Sequence, residues 1–388
     1  MSKKYIQLVI VLIGAALLSV FAVKSAPHTS PQKQADKTEY KGGDAGFQMG
    51  PSPQEEALTQ IRPEAYNSIR DLSVPEGARI SILMREGGSE FAKEFEEGCL
   101  RAGDELNEAL GYTGQSRVKV SCNAPAKMQD ISGQGAILDE ELNLYPDVMA
   151  VSLVDAGSSE VQFDLARDNG VKIMGFDAVP SYKHTVATVT TDNATAAAEA
   201  ADHLKEAMAA KQAQGRVMIF GENVTASNLR AREQAFVDRM TKQGPKAQIS
   251  CIYHLSELEE KRVEAAQALS AASENGEEID PEDLGQEEVI AWLFDANPDV
   301  AGVFLADEQT AKIVLKVMRD KGITVSTVAF GGYEELVDED EEHLLAGVIE
   351  ENPYGMGYAT TVAALRIAAG LDETAAIDTG YRWQPTEP

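Results

Sequence analysis

The sequence predicts an α/β fold of two lobes, each built on a parallel β-sheet with helices on its faces. Three observations carry this. Strand-like and helix-like stretches alternate from residue 79 onwards, the pattern that builds parallel sheets. The run Val148-Met149-Ala150-Val151-Ser152-Leu153 is almost continuously apolar, as a parallel strand buried on both faces must be. The alternation also falls into two series that divide near residue 191, and 388 residues suffice for two domains of roughly 100–200 residues each.

In the first series, Arg79-Ile80-Ser81-Ile82-Leu83-Met84 is a predicted strand, followed by a long amphipathic helix over 89–110 and a strand over 118–121. After the apolar run comes a helix over 159–169, stopped by Gly170, and a strand over 171–176. The second series reads as helix 194–211, strand 216–220, helix 228–243, strands 247–253 and 300–305, helix 308–321 and strand 324–330. Two sheets imply a cleft between them, and ligands of such folds sit at the carboxyl ends of the strands.

An excursion interrupts the second series. Residues 256–273 form a charged, Ala-rich helix, and 274–288 an acidic loop. Asp280-Pro281-Glu282-Asp283-Leu284-Gly285 lacks the alternating oxygen register of a calcium loop and is read as solvated surface. The acidic run 334–342 suits a helix N-terminus, where negative charge is favoured. Trp292 is assigned to core packing.

Before residue 79 the composition changes. Lys3 and Lys4 precede an apolar stretch over 5–23, broken only by Gln7 and Ser19, long enough for an export signal or a membrane anchor and oriented N-inside by the lysines. No Cys follows it, so a lipid anchor on cysteine is excluded; Val23-Lys24-Ser25 before Ala26 is a usable cleavage site. Residues 1–26 are therefore the signal or anchor, and 27–77 a flexible tether with one helical turn near 64–69. The chain is expected outside the cytoplasm.

The net charge of -29 excludes nucleic acid as a partner, because phosphate binding needs a basic surface. Aromatics make up only 6%, so the cores should be aliphatic. The three Cys (Cys99, Cys122, Cys251) are odd in number and lack CxxC spacing. Cys99 and Cys122 fall in one lobe, where a bridge is geometrically possible, but buried free thiols are the expectation. Five scattered His offer no ligand cluster, so neither metal nor cofactor is expected.

The order of motifs resembles that of the type I periplasmic sugar-binding proteins, the ribose/galactose-binding family related to LacI-type effector domains. The similarity runs from 79 to 383. Phe91-Ala92-Lys93-Glu94-Phe95-Glu96-Glu97-Gly98 looks like the family's first helix, and Val171-Lys172-Ile173-Met174-Gly175-Phe176-Asp177 like its strand ending in Asp. Thr191-Asp192-Asn193 resembles the first crossing between lobes. Arg230-Ala231-Arg232-Glu233-Gln234-Ala235-Phe236 resembles the Arg-x-x-Gly-Phe element, with Ala235 in place of Gly. Pro298-Asp299-Val300-Ala301-Gly302-Val303-Phe304 and Asn352-Pro353-Tyr354 complete the series.

The resemblance implies two Rossmann-like lobes joined by a three-crossing hinge near Thr191, Glu351 and Gly380. One lobe would comprise 78–190 and 352–379, the other 191–351 and 380–388. It also places Phe91 against a sugar ring, Asp177 as acceptor of two hydroxyls and Arg232 as a donor, and charge-assisted pairs of this kind suit vicinal hydroxyls. Asp307 is kept from the family's Asn-Asp pair, but Ala306 replaces the Asn. Gly331 replaces the Asp of a Gly-Phe-Asp motif, Ala178 replaces an Arg, and Glu351 stands where Gln is common. Each buried hydroxyl left unpaired costs about 1–3 kcal/mol, so these losses argue against ribose. Arg85, Glu86, Asn223 and Tyr333 lie on loops that can reshape the site.

The function so implied is capture of a small polar ligand, a sugar or sugar-like molecule, for the permease of an ABC importer, or for a membrane sensor such as a histidine kinase or chemoreceptor. A transcription regulator is excluded, since the first 78 residues hold an export segment and tether where a DNA-binding helical module would stand. No Ser–His–Asp set, nucleophile elbow or P-loop supports an enzyme.

Overall fold

The computed structural model describes residues 51–127, 129–242, 249–273, 276–340, 343–371 and 375–386. The predicted export segment, the predicted tether up to residue 50, the start of the predicted 247–253 strand and parts of the two acidic runs lie outside the described residues.

The first sheet holds β1 (Arg79–Leu83), β2 (Lys119–Asn123), β3 (Val148–Val151), β4 (Lys172–Phe176), β5 (Ala187–Thr190) and β11 (Ala375–Asp378), in the order β11-β5-β4-β3-β1-β2 and parallel throughout. Alternate residues of β3 serve its two faces. Val148 and Ala150 join the core under α2 (Glu90–Leu110) and α11 (Pro353–Ala368), while Met149 and Val151 join Leu138 of α3 (Ile131–Leu142) and Phe163 of α4 (Glu160–Asp168).

The second sheet holds β6 (Arg216–Gly221), β7 (Ile249–His254), β8 (Val300–Leu305), β9 (Ser326–Phe330), β10 (Leu345–Glu351) and β12 (Tyr381–Pro385), ordered β12-β10-β9-β8-β6-β7. Only β12 runs antiparallel, pairing Gly347 with Pro385. Val217, Ile219 and Phe304 face α5 (Asn193–Ala210) and α6 (Ser227–Thr241). Met218, Phe220 and Val303 face α8 (Gln286–Ala296) and α9 (Glu308–Lys321), with α7 (Leu258–Ala272) beside α8. Trp292 lies half-buried on α8 against this core, as expected, and α8 begins inside the predicted 274–288 loop.

Helix ends follow local chemistry. Ser89, Asp192, Asp307 and Asn352 accept a backbone N–H of the first turn of α2, α5, α9 and α11 respectively. Gly111 ends α2 in the left-handed region at φ 68°, where a side chain would be strained. Helices α2 and α11 approach so closely that a Cβ on Gly98 would overlap the Tyr354 carbonyl oxygen, and one on Gly357 that of Phe95. The Glu334 and Glu335 carboxylates occupy the first turn of α10 (Tyr333–Glu339), as the acidic run predicts.

The chain passes between sheets three times, after β5, after β10 and between β11 and β12. Hydrogen bonds lace these passages together. Thr191 donates to Glu351 Oε1 (2.9 Å), Asn352 Nδ2 to the Thr379 carbonyl (2.8 Å), and Thr379 N to the Thr190 carbonyl (3.1 Å).

The tether reading needs correction from residue 53. Helix α1 (Pro53–Thr59) is held by a Ser52–Glu55 capping box, and a single 3-10 turn follows at Glu64–Tyr66. Ile61, Tyr66, Leu72 and Val74 are buried in the first lobe's core. Arg62 and Asp378 exchange backbone hydrogen bonds at 2.8 and 2.9 Å, and Asn352 Nδ2 donates to Ala57 O (2.8 Å). The apolar residues responsible are spaced without period among polar and Pro residues, so composition alone reads as flexible. All three cysteines are free thiols; Cys99 is buried and donates to the Gly357 carbonyl (3.3 Å).

Candidate ligand-binding cleft

A cavity of about 1290 Å³ lies between the sheets, at the carboxyl ends of their strands. Loops leaving β1, β4, β6, β8 and β9 deliver Arg85, Asp177, Glu222, Asp307 and Gly331 to it. Asp177 takes φ 48°, an uncommon value that short polar residues tolerate, and its carboxylate is buried.

Seven of the nine predicted residues line this cavity: Arg85, Glu86, Phe91, Asp177, Arg232, Asp307 and Glu351. Two stand apart. Asn223 Nδ2 donates to Gln129 Oε1 (2.7 Å), tying the lobes together, and Tyr333 turns its hydroxyl to the Pro385 carbonyl (3.4 Å).

At the deep end, Arg85 bridges the lobes. Its Nε lies 3.3 Å from Asp177 Oδ2 in the first lobe, and its Nη1 3.2 Å from Glu222 Oε2 in the second. Burial opposes the charge on Arg85, but Asp177, Glu222 and Asp307 outweigh it and hold its pKa above the ordinary guanidinium value. Asp177 also accepts from Asn228 Nδ2 across the cleft (2.7 Å) and from Ser152 (3.1 Å). Asp307 accepts from Glu222 N (2.8 Å) and from Thr310 N and Oγ1 (2.9 Å each). Burial, and then the Glu222 charge, push the Asp307 pKa up to about 6 against those hydrogen bonds.

Arg232 is 2% exposed and fully engaged. Its Nε donates to Asn193 Oδ1 (2.6 Å) and its Nη1 to the Ala306 carbonyl (2.9 Å). Its Nη2 lies 2.6 Å from Glu351 Oε1, close enough for an ion pair but off the line of a hydrogen bond. The guanidinium also covers the Phe330 ring at 4.2 Å. So the residue read as a ligand donor doubles as the clamp between α6, the hinge and the end of β8.

The chain matches the model of the periplasmic binding protein domain over residues 80–372, and it belongs to that family. Solved structures share the fold. A carbohydrate transporter solute-binding protein from Agrobacterium radiobacter, in complex with D-arabinose, is 22% identical, with TM-score 0.63 over 80% of this chain and 94% of its own. A solute-binding protein from Agrobacterium vitis with bound D-fucose is 18% identical, with TM-score 0.61 and coverage of 80% and 96%. A glucose-galactose binding protein from Geobacillus stearothermophilus is 20% identical, with TM-score 0.61 and coverage of 80% and 98%. No curated protein sequence matches the chain.

Sequence reasoning missed Ser152, Asn193, Glu222 and Asn228, which complete the polar network. Glu222 and Ser152 carried a usable signal, since each directly follows an apolar strand at its carboxyl end. Asn193 and Asn228 act through tertiary contacts, with Arg232 and with Asp177 across the cleft, that no local pattern reveals.

Proposed function

We propose that the chain is an extracytoplasmic solute-binding protein that captures a sugar or sugar-like ligand between its lobes and delivers it, closed, to an ABC importer. The observation that carries this reading is the cleft itself: charged groups from both sheets converge on one space at a three-strand hinge. Ligand contacts from both sides shift the population toward closure, which is the signal a permease reads. In this reading Asp177, Arg85 and Asp307 meet hydroxyl groups, Phe91 meets a ring face, and Arg232 and Glu351 set the hinge side. Residues 1–26 serve export or anchoring. No chemical step is required.

The test is a thermal-shift panel of pentoses, hexoses, sugar acids and polyols on the full chain. A binder at 100 times its Kd adds about 2.7 kcal/mol. The reading predicts a clear rise with one sugar class that Asp177→Ala abolishes. A well-folded chain that responds to no sugar contradicts it.

A further inference from the structure

The deep end of the cleft is satisfied by the protein's own groups: Asp177 by Arg85, Ser152 and Asn228, and Arg232 by Asn193, the Ala306 carbonyl and Glu351. The outer cavity is what remains open, and its chemistry is one-sided. Thirteen acidic and four basic side chains line the whole cavity. All four cations are engaged. Besides Arg85 and Arg232, Lys312 pairs with Glu308 at 2.7 Å, and Arg382 with Glu350 at 3.1 Å and Glu56 at 3.6 Å.

Four outer carboxylates make no hydrogen bond or ion pair among the described residues: Glu94, Glu96 and Glu97 on α2 of the first lobe and Glu335 on α10 of the second. Glu94 and Glu335 line the one cavity from opposite lobes, and burial first, then the charges of Glu90, Glu335 and Glu350, push the Glu94 pKa upward. Carboxylates facing each other from opposite lobes resist closure, and a neutral ligand does nothing to relieve them. A second feature points to a ligand independently. Phe91, one helical turn before Glu94, leaves a half-buried ring in the cavity wall. An aromatic face beside carboxylates is a favourable seat for an ammonium group. The volume of about 1290 Å³ also exceeds the roughly 300–1,000 Å³ of a usual small-molecule pocket, leaving room for more than one ring.

We propose that the cleft selects a cationic sugar, one or two rings bearing amino groups, with an ammonium between Glu94 and Glu335 beside Phe91 and hydroxyl groups toward the deep end. This rests on the sugar-capture reading above, and matched ligands separate the two. Calorimetric titration of the full chain would compare D-glucosamine with D-glucose, D-galactosamine with D-galactose, and the β-1,4-linked glucosamine disaccharide with cellobiose. The expected result is at least tenfold tighter binding of one amine than of its neutral partner. The Glu94→Gln/Glu335→Gln double variant, checked for an unchanged melting temperature, should lose most of that preference. Equal or tighter binding of the neutral partner overturns the cationic ligand and leaves sugar capture standing. A preference that survives the double variant overturns the assignment to Glu94 and Glu335. Silence toward every sugar overturns both readings.

Discussion

Truncating Arg232 to Ala separates a clamp from a free ligand contact. The side chain is 2% exposed and makes two hydrogen bonds to buried acceptors, an ion pair to Glu351 at 2.6 Å, and a contact over Phe330 at 4.2 Å. Arg232→Ala leaves Glu351, whose side chain is 12% exposed, with only the Thr191 hydroxyl to offset its charge, and leaves a void above the ring. Breaking a buried pair by removing one partner costs about 3–5 kcal/mol, most of it the orphaned charge. Adding Glu351→Gln removes that charge, so the double variant should be less damaged than the sum of the single ones. Urea unfolding followed by circular dichroism reads this directly, provided the m-value is unchanged. A residue that served only as a ligand donor would lose little stability on truncation in the unliganded chain. A loss under about 1 kcal/mol would refute the clamp, since that is the value of an ordinary exposed pair.

Other consequences are equally testable. Arg85→Ala strands the buried Asp177 and Glu222 on opposite lobes without their shared cation, so the unliganded chain should sample wider openings, seen as a larger radius of gyration. An unchanged radius would contradict the bridging role. Gly357→Ala drives a Cβ into the Phe95 carbonyl, and such overpacking should cost about 1–3 kcal/mol or more in urea unfolding. Burial works against charge on His254, but Glu233 (2.5 Å) and Glu257 (2.7 Å) outweigh it and raise its pKa. A raised histidine stabilises fully below the unfolded value of about 6.5 and loses that contribution as pH rises through the folded value. Comparing wild type with His254→Gln between pH 6 and 9 should therefore show the larger fall in wild type, and parallel curves would refute it.

Long periodic elements were legible in the chain. The β3 run and the α2 stripe follow from period and apolar continuity, and β8 falls at the predicted residues 300–305. Elements lacking such a signal escaped. Helix α3 carries Gly133 and Gly135 among its twelve residues, and β5 is four residues of Ala, Thr and Val. Helix α1 and the arm after it are fixed by distant partners, Asn352 and Asp378, which no local pattern reveals. The site shows the same division. Asp177 and Asp307 stand at strand ends, where position alone marks them. Asn223 on a cleft-side loop and Tyr333 at the start of α10 also stand near strand ends, yet their partners, Gln129 and the Pro385 carbonyl, draw them away. The acidity of the outer cleft comes from α2, α10 and β10 together, so it exists only once the lobes are assembled.

The central claim is that a ligand closes the two lobes upon each other. Small-angle X-ray scattering of the full chain, with and without a saturating amount of the sugar giving the largest thermal shift, tests it most directly. Closure should give a smaller radius of gyration on binding, reversed when the ligand is removed. Binding with an unchanged scattering curve would contradict it.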